Sequence, residues 1–336
     1  MDIETCHPEL LPIKNIEYKR LVSLIGGARE ALARLDEKLR REKNPKAILE
    51  PLYWQESISS LRAHDIRSIF QEVISARYFH LTSKKRADLV QSILAAKKAF
   101  DLASSWELKK KISHRFFCCI HRAIHPALIE KDNGRFRDRQ NWIGPEGCKI
   151  EEGYFFPPKA VRIRPLLCNL EAYLSQHSQE PLVQLAIAFA QFLIIHPFMN
   201  GNGRVARMMI PIDAQRKKLL VQPALFLSAY FEEHRSEYFQ KLFNISEKNN
   251  WEEWIAFFLT GVISQANLTR DRLDRLAKLW NETVARSDEA RTILIFHQPL
   301  IDSSVAGEYQ KLIQQKFLIA REKGFYFFNP LIHAMR

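Results

Sequence analysis

Residues 181–207 read PLVQLAIAFAQFLIIHPFMNGNGRVAR, and this stretch decides the fold class. Apolar residues recur at helical spacing over 181–195, which predicts a strongly apolar helix at the centre of the molecule. His196-Pro197 ends that helix, and a second helix is predicted over 203–217. Two helices joined by a short loop of Asn and Gly indicate a helical core built around that loop.

The composition of the whole chain favours a mainly α-helical protein. Of its 336 residues 46% are hydrophobic, enough for a sizeable core, and only 11 are Gly. The net charge of +12 indicates either an acidic partner or simply a solvated basic surface. Five Cys without regular spacing favour a reducing compartment. No run of about 18 apolar residues occurs, so we expect a cytoplasmic protein with no membrane partner.

Further helices are expected on both sides of this core. Their predicted ranges are 18–43, a block from about 49 with an amphipathic stretch at 66–74, 84–103, 106–124, 160–175 and two or three over 224–280. Residues 1–15 are expected to be an extended arm, and residues 132–158 a functional loop or hairpin. The tail shows helices near 288–296 and 304–315 and then a β-hairpin over 317–328, which predicts a small domain from about 281.

The loop after the central helix has the parts of a phosphate site. Gly201 and Gly203 let the backbone approach an anion, and the N-terminus of the following helix favours negative charge. Arg204 and Arg207 fall on one face near the start of that helix, where guanidinium groups can hold phosphates. His196 ends the preceding helix beside this site and can accept a proton from an attacking hydroxyl.

The twelve residues from His196 to Arg207 resemble the signature of the Fic family, His-x-Phe-x-Asp/Glu-Gly-Asn-Gly-Arg-x-x-Arg. The resemblance covers roughly residues 8–275, including the segments 10–12, 44–45, 139–144, 155–158 and 227–231. It implies a mainly α Fic-fold helical bundle with a β-hairpin flap and a small C-terminal winged-helix-like domain. The implied divisions are an N-terminal regulatory region at 1–105, a catalytic core at 106–280 and the tail at 281–336.

The resemblance also implies an activity and the residues that carry it. Fic proteins transfer AMP from ATP to the Ser, Thr or Tyr hydroxyl of a target protein and release pyrophosphate. His196 becomes the general base. The phosphate-binding group becomes Gly201, Asn202, Gly203, Arg204 and Arg207. Gly203 favours AMP transfer, because relatives that transfer a terminal phosphate carry Lys at this position.

Two further groups are carried over from the family. Tyr154, Phe155 and Phe156 match the flap, which aligns the target segment by adding it as a strand. Tyr238 and Leu242 match positions that wall the adenine pocket, with ordinary core packing as an equal alternative.

The metal ligand of the family is altered. Asn200 stands where relatives carry the acidic residue that binds Mg²⁺, and an amide offers a neutral oxygen in place of a carboxylate. We therefore expect Mg²⁺ or Mn²⁺ to be held more weakly, with reduced turnover or inactivity as the competing outcome. A second metal site at Cys118, Cys119, His121 and His125 is rejected, because the stretch matches a plain structural helix of the family.

The inhibitory motif of the family is altered as well. Relatives of this layout carry Ser/Thr-x-x-x-Glu-Gly/Asn, whose Glu pairs with the second motif arginine. The matching segment here runs from Ser60 to Asp65 and has His64 in place of that Glu. Neutral His cannot supply the charge-assisted bond to Arg207, so relaxed autoinhibition is expected. Without the glutamate, removal of AMP should fail by the usual route, although His64 could itself position a water molecule.

Three functions from different classes remain open at this point. The first is an active AMP transferase, and the second is a nucleotide-binding regulator without catalysis, suggested by Asn200. The third is a DNA-binding protein, suggested by the basic charge and the tail, in which Lys311, Gln314, Lys316, Arg321 and Lys323 could contact phosphates. A homodimer is expected from the relatives. An internal bacterial regulator and an effector delivered to a host cell have the same sequence features.

Overall fold

The computed structural model describes residues 4–61, 66–76, 83–106, 111–125, 132–145, 147–320, 325–328 and 330–335. Within these ranges the chain is mainly α-helical, as predicted, with a three-stranded sheet near its end. The helices are α1 (Val22–Arg41), α2 (Pro45–Ser59), α3 (Ile66–Ser75), α4 (Lys84–Ser104), α5 (His114–Ile124), α6 (Ile163–Ser175), α7 (Pro181–Ile195), α8 (Asn202–Arg216), α9 (Ser228–Glu233), α10 (Arg235–Lys248), α11 (Trp251–Arg286), α12 (Glu289–His297), α13 (Gln310–Gln314) and α14 (Pro330–Ala334). The strands are β1 (Leu300–Asp302), β2 (Leu318–Ala320) and β3 (Phe325–Phe328).

Helix α7 is the centre of the molecule, as its sequence predicts. Pro181 occupies its first turn, where the missing N–H leaves no bond unmade. Every other residue of the helix except Leu193 is buried. Helices α6 and α8 pack beside it, and Trp254 of α11 donates its indole N–H to the carbonyl of Ala186, at 2.8 Å. A helix buried on all sides must be apolar all round, which explains its composition.

The N-terminal helices share one hydrophobic core with the rest of the chain. Helix α11 has 36 residues and is about 54 Å long at the usual rise per residue. Helix α1 lies along it and buries Leu32, Leu35 and Leu39. One continuous cluster of buried side chains joins both regions. The division at residue 105 therefore stays a prediction, since no gap in the core marks it.

Two helix starts differ from the predicted ones. Helix α2 begins at Pro45 and not near 49, because proline is well suited to the first turn of a helix. Helix α5 begins at His114 and not at 106, and residues 107–110 lie outside the described part of the chain.

The N-terminal arm is extended, as predicted, and is held along α6, α7 and the loop that follows α5. The backbone N–H and carbonyl of Leu11 both bond to the Asn169 side chain on α6, at 2.8 and 2.9 Å. Gln191 of α7 donates to the carbonyl of Glu9, and the N–H of Cys6 donates to the carbonyl of Phe156, both at 2.8 Å.

The long loop at 132–158 is closed by a minimal hairpin. Ile143 and Phe155 pair as an isolated antiparallel bridge, and a 3₁₀ turn at Ile150–Glu152 lies between them. The indole N–H of Trp142 donates to the carbonyl of Cys148, at 3.2 Å. The expected flap is therefore present as a single bridge.

The tail contains the predicted hairpin and one strand that was not predicted. Strands β2 and β3 pair antiparallel, and β1 pairs with the other edge of β3, giving the order β1-β3-β2. The expected helix at 304–315 is a 3₁₀ turn at Ser303–Tyr309 followed by α13. Helix α14 packs on α11 and α12 on α2, so the tail rests on the helical core. In the described ranges, no helix combines the length and the apolarity needed to cross a membrane.

Candidate active site

The connection from α7 to α8 presents His196 in an unusual backbone conformation. His196 follows the last residue of α7 with φ 48° and ψ 60°, in the left-handed region that a residue with a side chain seldom adopts. Its N–H still donates to Phe192, at 3.0 Å. The turn sends the chain away from the helix axis at the residue predicted to be the base.

The interior of the loop is fixed by side-chain bonds to its own backbone. Asn202, which is 2% exposed, accepts from the N–H of Phe198 at 2.9 Å and donates to its carbonyl at 2.8 Å. Asn141 donates to the carbonyl of Met199, at 3.0 Å. The fully buried ring of Phe198 stacks on His121 with their centroids 4.0 Å apart. Asn202 therefore shapes the loop and does not point its amide at a ligand.

Gly201 has no room for a side chain. Its φ is +72°, and a Cβ atom there would lie 2.4 Å from Nε2 of His125. Gly203 has an ordinary helical conformation, and a Cβ atom there would lie 3.1 Å from Nη1 of Arg207. The backbone amides of the first turn of α8 have no partners within the helix and are available to an anion.

His196 is held in the state that a general base requires. Its Nδ1 lies 3.2 Å from the carbonyl of Leu193, and because a carbonyl only accepts, Nδ1 carries the proton in this bond. Nε2 is then the acceptor. Removal from water, reinforced by the charge of Arg137, lowers the pKa of His196 to about 4, so the ring is neutral at physiological pH.

Arg204 and Arg207 leave their shared helix in different directions. Arg204 bonds Nε2 of His125 at 2.7 Å and lies near the carbonyl of Ile124. Burial, followed by the charge of Arg204, lowers the pKa of His125 to about 3, so this histidine is a neutral acceptor. Arg204 is thus attached to the end of α5.

Arg207 reaches the end of α2. Its Nη2 donates to the carbonyl of Ser60 at 2.7 Å, while its buried Nε has no partner among the described residues. Glu56, one turn earlier on α2, accepts from the Ser228 hydroxyl and feels the charge of Arg207. The segment that resembles the inhibitory motif therefore contacts the second motif arginine through a neutral carbonyl. His64 and Asp65 lie outside the described residues.

A cavity of about 680 Å³ opens between the flap, the loop and α10. Of the residues singled out in the sequence, it brings together His196, Gly203, Arg207, Tyr238, Leu242, Tyr154 and Phe155. Phe156, Asn200, Gly201, Asn202 and Arg204 do not line it. Its described lining contains two arginines and no Asp or Glu, so the cavity favours an anion.

The residues present do not make a protein metal site. Asn200 is exposed at the tip of the loop, and its backbone carbonyl lies 3.2 Å from Nε2 of His121. Gly134 donates to the other nitrogen of that ring, at 3.0 Å. Burial raises the pKa of the Cys118 thiol to about 11. The described residues contain no cluster of three or more His, Cys, Asp and Glu that suits a metal ion.

Several residues of the site were not singled out in the sequence. Phe239 and Phe243 line the cavity beside Tyr238 and Leu242, and the spacing of four residues within each pair, 238/242 and 239/243, was a usable signal. Arg235, at the first turn of α10, lines the cavity as a second arginine. Asn141 lies in the family-like segment 139–144.

No motif or spacing in the sequence marked Arg137 as a residue of the site. It is 4% exposed and donates to the carbonyl of His196 at 2.9 Å and to that of Arg139 at 3.1 Å. Its Nη2 donates to the carbonyls of Pro158 and Ile195. Burial lowers its pKa to about 10, and it remains a cation at physiological pH.

Comparison with known proteins identifies the segment that carries this site. The Fic/DOC family model matches residues 111–212. The protein adenylyltransferase Fic of Drosophila virilis is 24% identical over 321 residues, which are 93% of this chain and 59% of that protein. The protein of the same name from Drosophila erecta is 25% identical over 207 residues, 59% of this chain and 38% of that protein. The chain thus spans about two fifths to three fifths of the length of these curated relatives.

Solved structures share the fold. A Fic family protein from Desulfovibrio desulfuricans G20 superposes with a TM-score of 0.62 at 15% identity, covering 96% of this chain and 98% of that one. Fic-1 from C. elegans gives a TM-score of 0.56 at 16% identity, covering 79% of this chain and 75% of that one. The helical bundle described above is therefore a known one. Residues 111–212 of this chain are therefore a Fic/DOC domain.

Proposed function

We propose that this protein is an adenylyltransferase that moves AMP from ATP to the Ser, Thr or Tyr hydroxyl of a target protein. The observation that carries the proposal is His196, a neutral imidazole whose Nδ1 is occupied by a backbone carbonyl, in an anion-favouring cavity beside Arg207. The names of the curated relatives support the same chemistry.

The proposed reaction uses the groups of the chain in order. Nε2 of His196 takes the proton of the target hydroxyl, and the oxygen attacks the α-phosphorus of ATP. The bond between the α-phosphorus and its bridging oxygen breaks, and pyrophosphate leaves with the electron pair. The free amides at the start of α8 and the unpartnered Nε of Arg207 stabilise charge on the phosphates. Arg204 supports the loop from the side of α5 and needs to release His125 to reach a phosphate.

The walls of the cavity suit the two substrates. Tyr238 and Leu242 lie on one face of α10 with two phenylalanines between and beyond them, which makes an apolar wall for adenine. On the other side, the bridge of Ile143 and Phe155 leaves a short strand beside the cavity, to which a target segment can add. Tyr154, 54% exposed, is the flap residue open to that segment.

Mg²⁺ or Mn²⁺ enters this proposal only as a companion of ATP. At the tip of the loop the chain offers the neutral side-chain oxygen of Asn200, and the described lining of the cavity has no carboxylate. No step is assigned to a metal held by the protein. This donor set is also the observation that favours the second candidate, a nucleotide-binding regulator without catalysis.

Regulation is proposed to be relaxed. A glutamate in the inhibitory segment would hold Arg207 by a charge-assisted pair, whereas in the described part of that segment, which ends at residue 61, the guanidinium bonds a neutral carbonyl. We assign 1–105 as the regulatory region, 106–280 as the core and 281–336 as a winged-helix-like tail. A homodimer and contact of the tail with DNA stay predictions, as does a cytoplasmic, bacterial location.

Intact-mass spectrometry after incubation with ATP and Mg²⁺ or Mn²⁺ tests the proposal. We expect an added AMP unit of about 329 Da on the protein or on target proteins in an extract. The label should be absent in His196→Ala, reduced in His64→Glu and unchanged in His177→Ala, which changes an exposed histidine elsewhere. ATP binding without any label, in the presence of extract, would instead favour the regulator.

A further inference from the structure

Arg137 is a buried cation whose partners are carbonyl oxygens. No ion pair or hydrogen bond of the described residues gives its guanidinium a carboxylate. A buried charge without a counter-ion is tolerated only where its donors are satisfied. Arg137 meets this condition by directing four of its five N–H groups at backbone oxygens.

Those oxygens belong to two separate parts of the site. The carbonyls of Ile195 and His196 lie at the C-terminal end of α7, where helix carbonyls lack intrahelical partners. The carbonyls of Arg139 and Pro158 lie at the two ends of the flap, before and after its bridge. The N–H of Arg137 also donates to the carbonyl of Pro197, at 2.9 Å. One residue therefore joins the end of α7 to both ends of the flap.

The backbone conformation of His196 depends on contacts that hold it in place. Its left-handed backbone is unfavourable for a residue with a side chain and persists only where the surroundings hold it. Its ring is bonded three residues back, to Leu193, so the direction of Nε2 follows from the backbone at this position. The bond from Nε of Arg137 to the carbonyl of His196 holds that backbone independently of the ring bond.

We propose that Arg137 is a positioning residue that sets His196 and the flap relative to each other, so that base and target hydroxyl meet. This inference rests on the proposed role of His196 as the base. Arg137 does not line the cavity, and its donors are engaged elsewhere. Its loss should therefore slow AMP transfer while leaving ATP affinity nearly unchanged, which a phosphate-binding arginine would not do.

Two variants and a matched control test the proposal. Arg137→Gln removes the charge and most donors, and Arg137→Lys keeps the charge without the planar fork. Arg135→Gln, the matched control, removes an exposed arginine two residues before Arg137. We expect ATP affinity from calorimetry within about threefold of wild type in all three, and a rate of AMP labelling at least about tenfold lower in both Arg137 variants only.

Nitrogen-15 spectra of the histidine rings give a readout that does not need transferase activity. With the His196 signals assigned by their absence in His196→Ala, the wild type should show one tautomer with the proton on Nδ1. Arg137→Gln and Arg137→Lys should show mixed tautomers at His196, and Arg135→Gln should not. If the wild type does not transfer AMP, the proposed function fails and these spectra alone decide the positioning role.

Two results would overturn the proposal. Arg137→Lys with wild-type labelling and an unchanged His196 spectrum would show that the fork has no positioning role. A fall in ATP affinity equal to the fall in rate would make Arg137 a binding residue. If Arg137→Gln does not fold, as judged by circular dichroism, the Lys variant decides on the same criteria.

Discussion

Replacing Glu56 by Gln should change how the stability of the protein depends on pH. Glu56 lies mostly buried on α2, where its Oε1 accepts from the Ser228 hydroxyl and where the charges of Arg207 and Arg272 act on it. Burial raises the pKa of Glu56 from 4.5 to about 7, although the hydrogen bond from Ser228 and the two arginines act in the opposite direction. The folded protein thus favours the protonated carboxyl.

The size and sign of the effect follow from that pKa. The unfolded chain releases the proton of Glu56 near pH 4.5, and the folded protein near pH 7. Between these values the folded state holds more protons, so stability falls as pH rises. At about 1.36 kcal/mol per pH unit the loss reaches about 3 kcal/mol above pH 7. Gln keeps the acceptor for Ser228 without a charge, so Glu56→Gln should remove this loss.

Urea unfolding at about pH 5 and about pH 8 measures how the free energy of unfolding of the wild type and of Glu56→Gln changes with pH. Near pH 5 the variant and the wild type should differ by less than about 1 kcal/mol, and near pH 8 the variant should be more stable by about 3 kcal/mol. Glu37→Gln, at a side chain 63% exposed on α1, is the matched control and should follow the wild type. Parallel loss of stability in wild type and Glu56→Gln between the two pH values would refute the reasoning.

Three further outcomes concern the loop and its histidine. Gly201→Ala should weaken ATP binding by about tenfold or more, because the positive φ and the close approach to His125 both oppose a side chain. Calorimetry measures the affinity, and an unchanged value would count against the loop as the phosphate site. Asn202→Ala should lower the free energy of unfolding by about 2 kcal/mol, because two bonds to Phe198 are lost. Asn202→Asp should lower it more, because a buried carboxylate would face a carbonyl. Urea unfolding compares the two variants, and a larger loss in Asn202→Ala would contradict these hydrogen bonds. The kcat/KM of AMP transfer should be constant above about pH 5 and half-maximal near pH 4, since protonated His196 cannot act as a base. If kcat/KM already falls at about pH 6, the histidine has an ordinary pKa.

The helix–loop–helix around His196 was predictable because its signals are local. A continuous apolar run from Leu182 marks the central helix, and Gly201 marks the point where the backbone needs a positive φ. The same holds for the hairpin of the tail, whose strands alternate around a turn. Strand β1 was missed because three residues are too short to show a period of two.

The contacts that give the site its geometry were not predictable, because each joins residues far apart in the chain. Arg137 bonds a carbonyl 59 positions away, Arg204 a histidine 79 positions away, and Arg207 a carbonyl 147 positions away. A motif identifies a side chain but not where its guanidinium points. Arg204 and Arg207 were predicted to share one role, whereas in the structure only the second of the two lines the cavity.

The burial of α7 makes the matched segment of this chain depend on a helix that lies outside it. The recognised segment ends at residue 212, yet α7 is covered by Trp254 and its aromatic neighbours on α11, which begins 39 positions later, at Trp251. A gene fragment encoding the matched segment alone would leave an apolar helix without its cover. A shortened form of this protein would therefore have to keep α11 together with α7, and with α11 the N-terminal helix that lies along it.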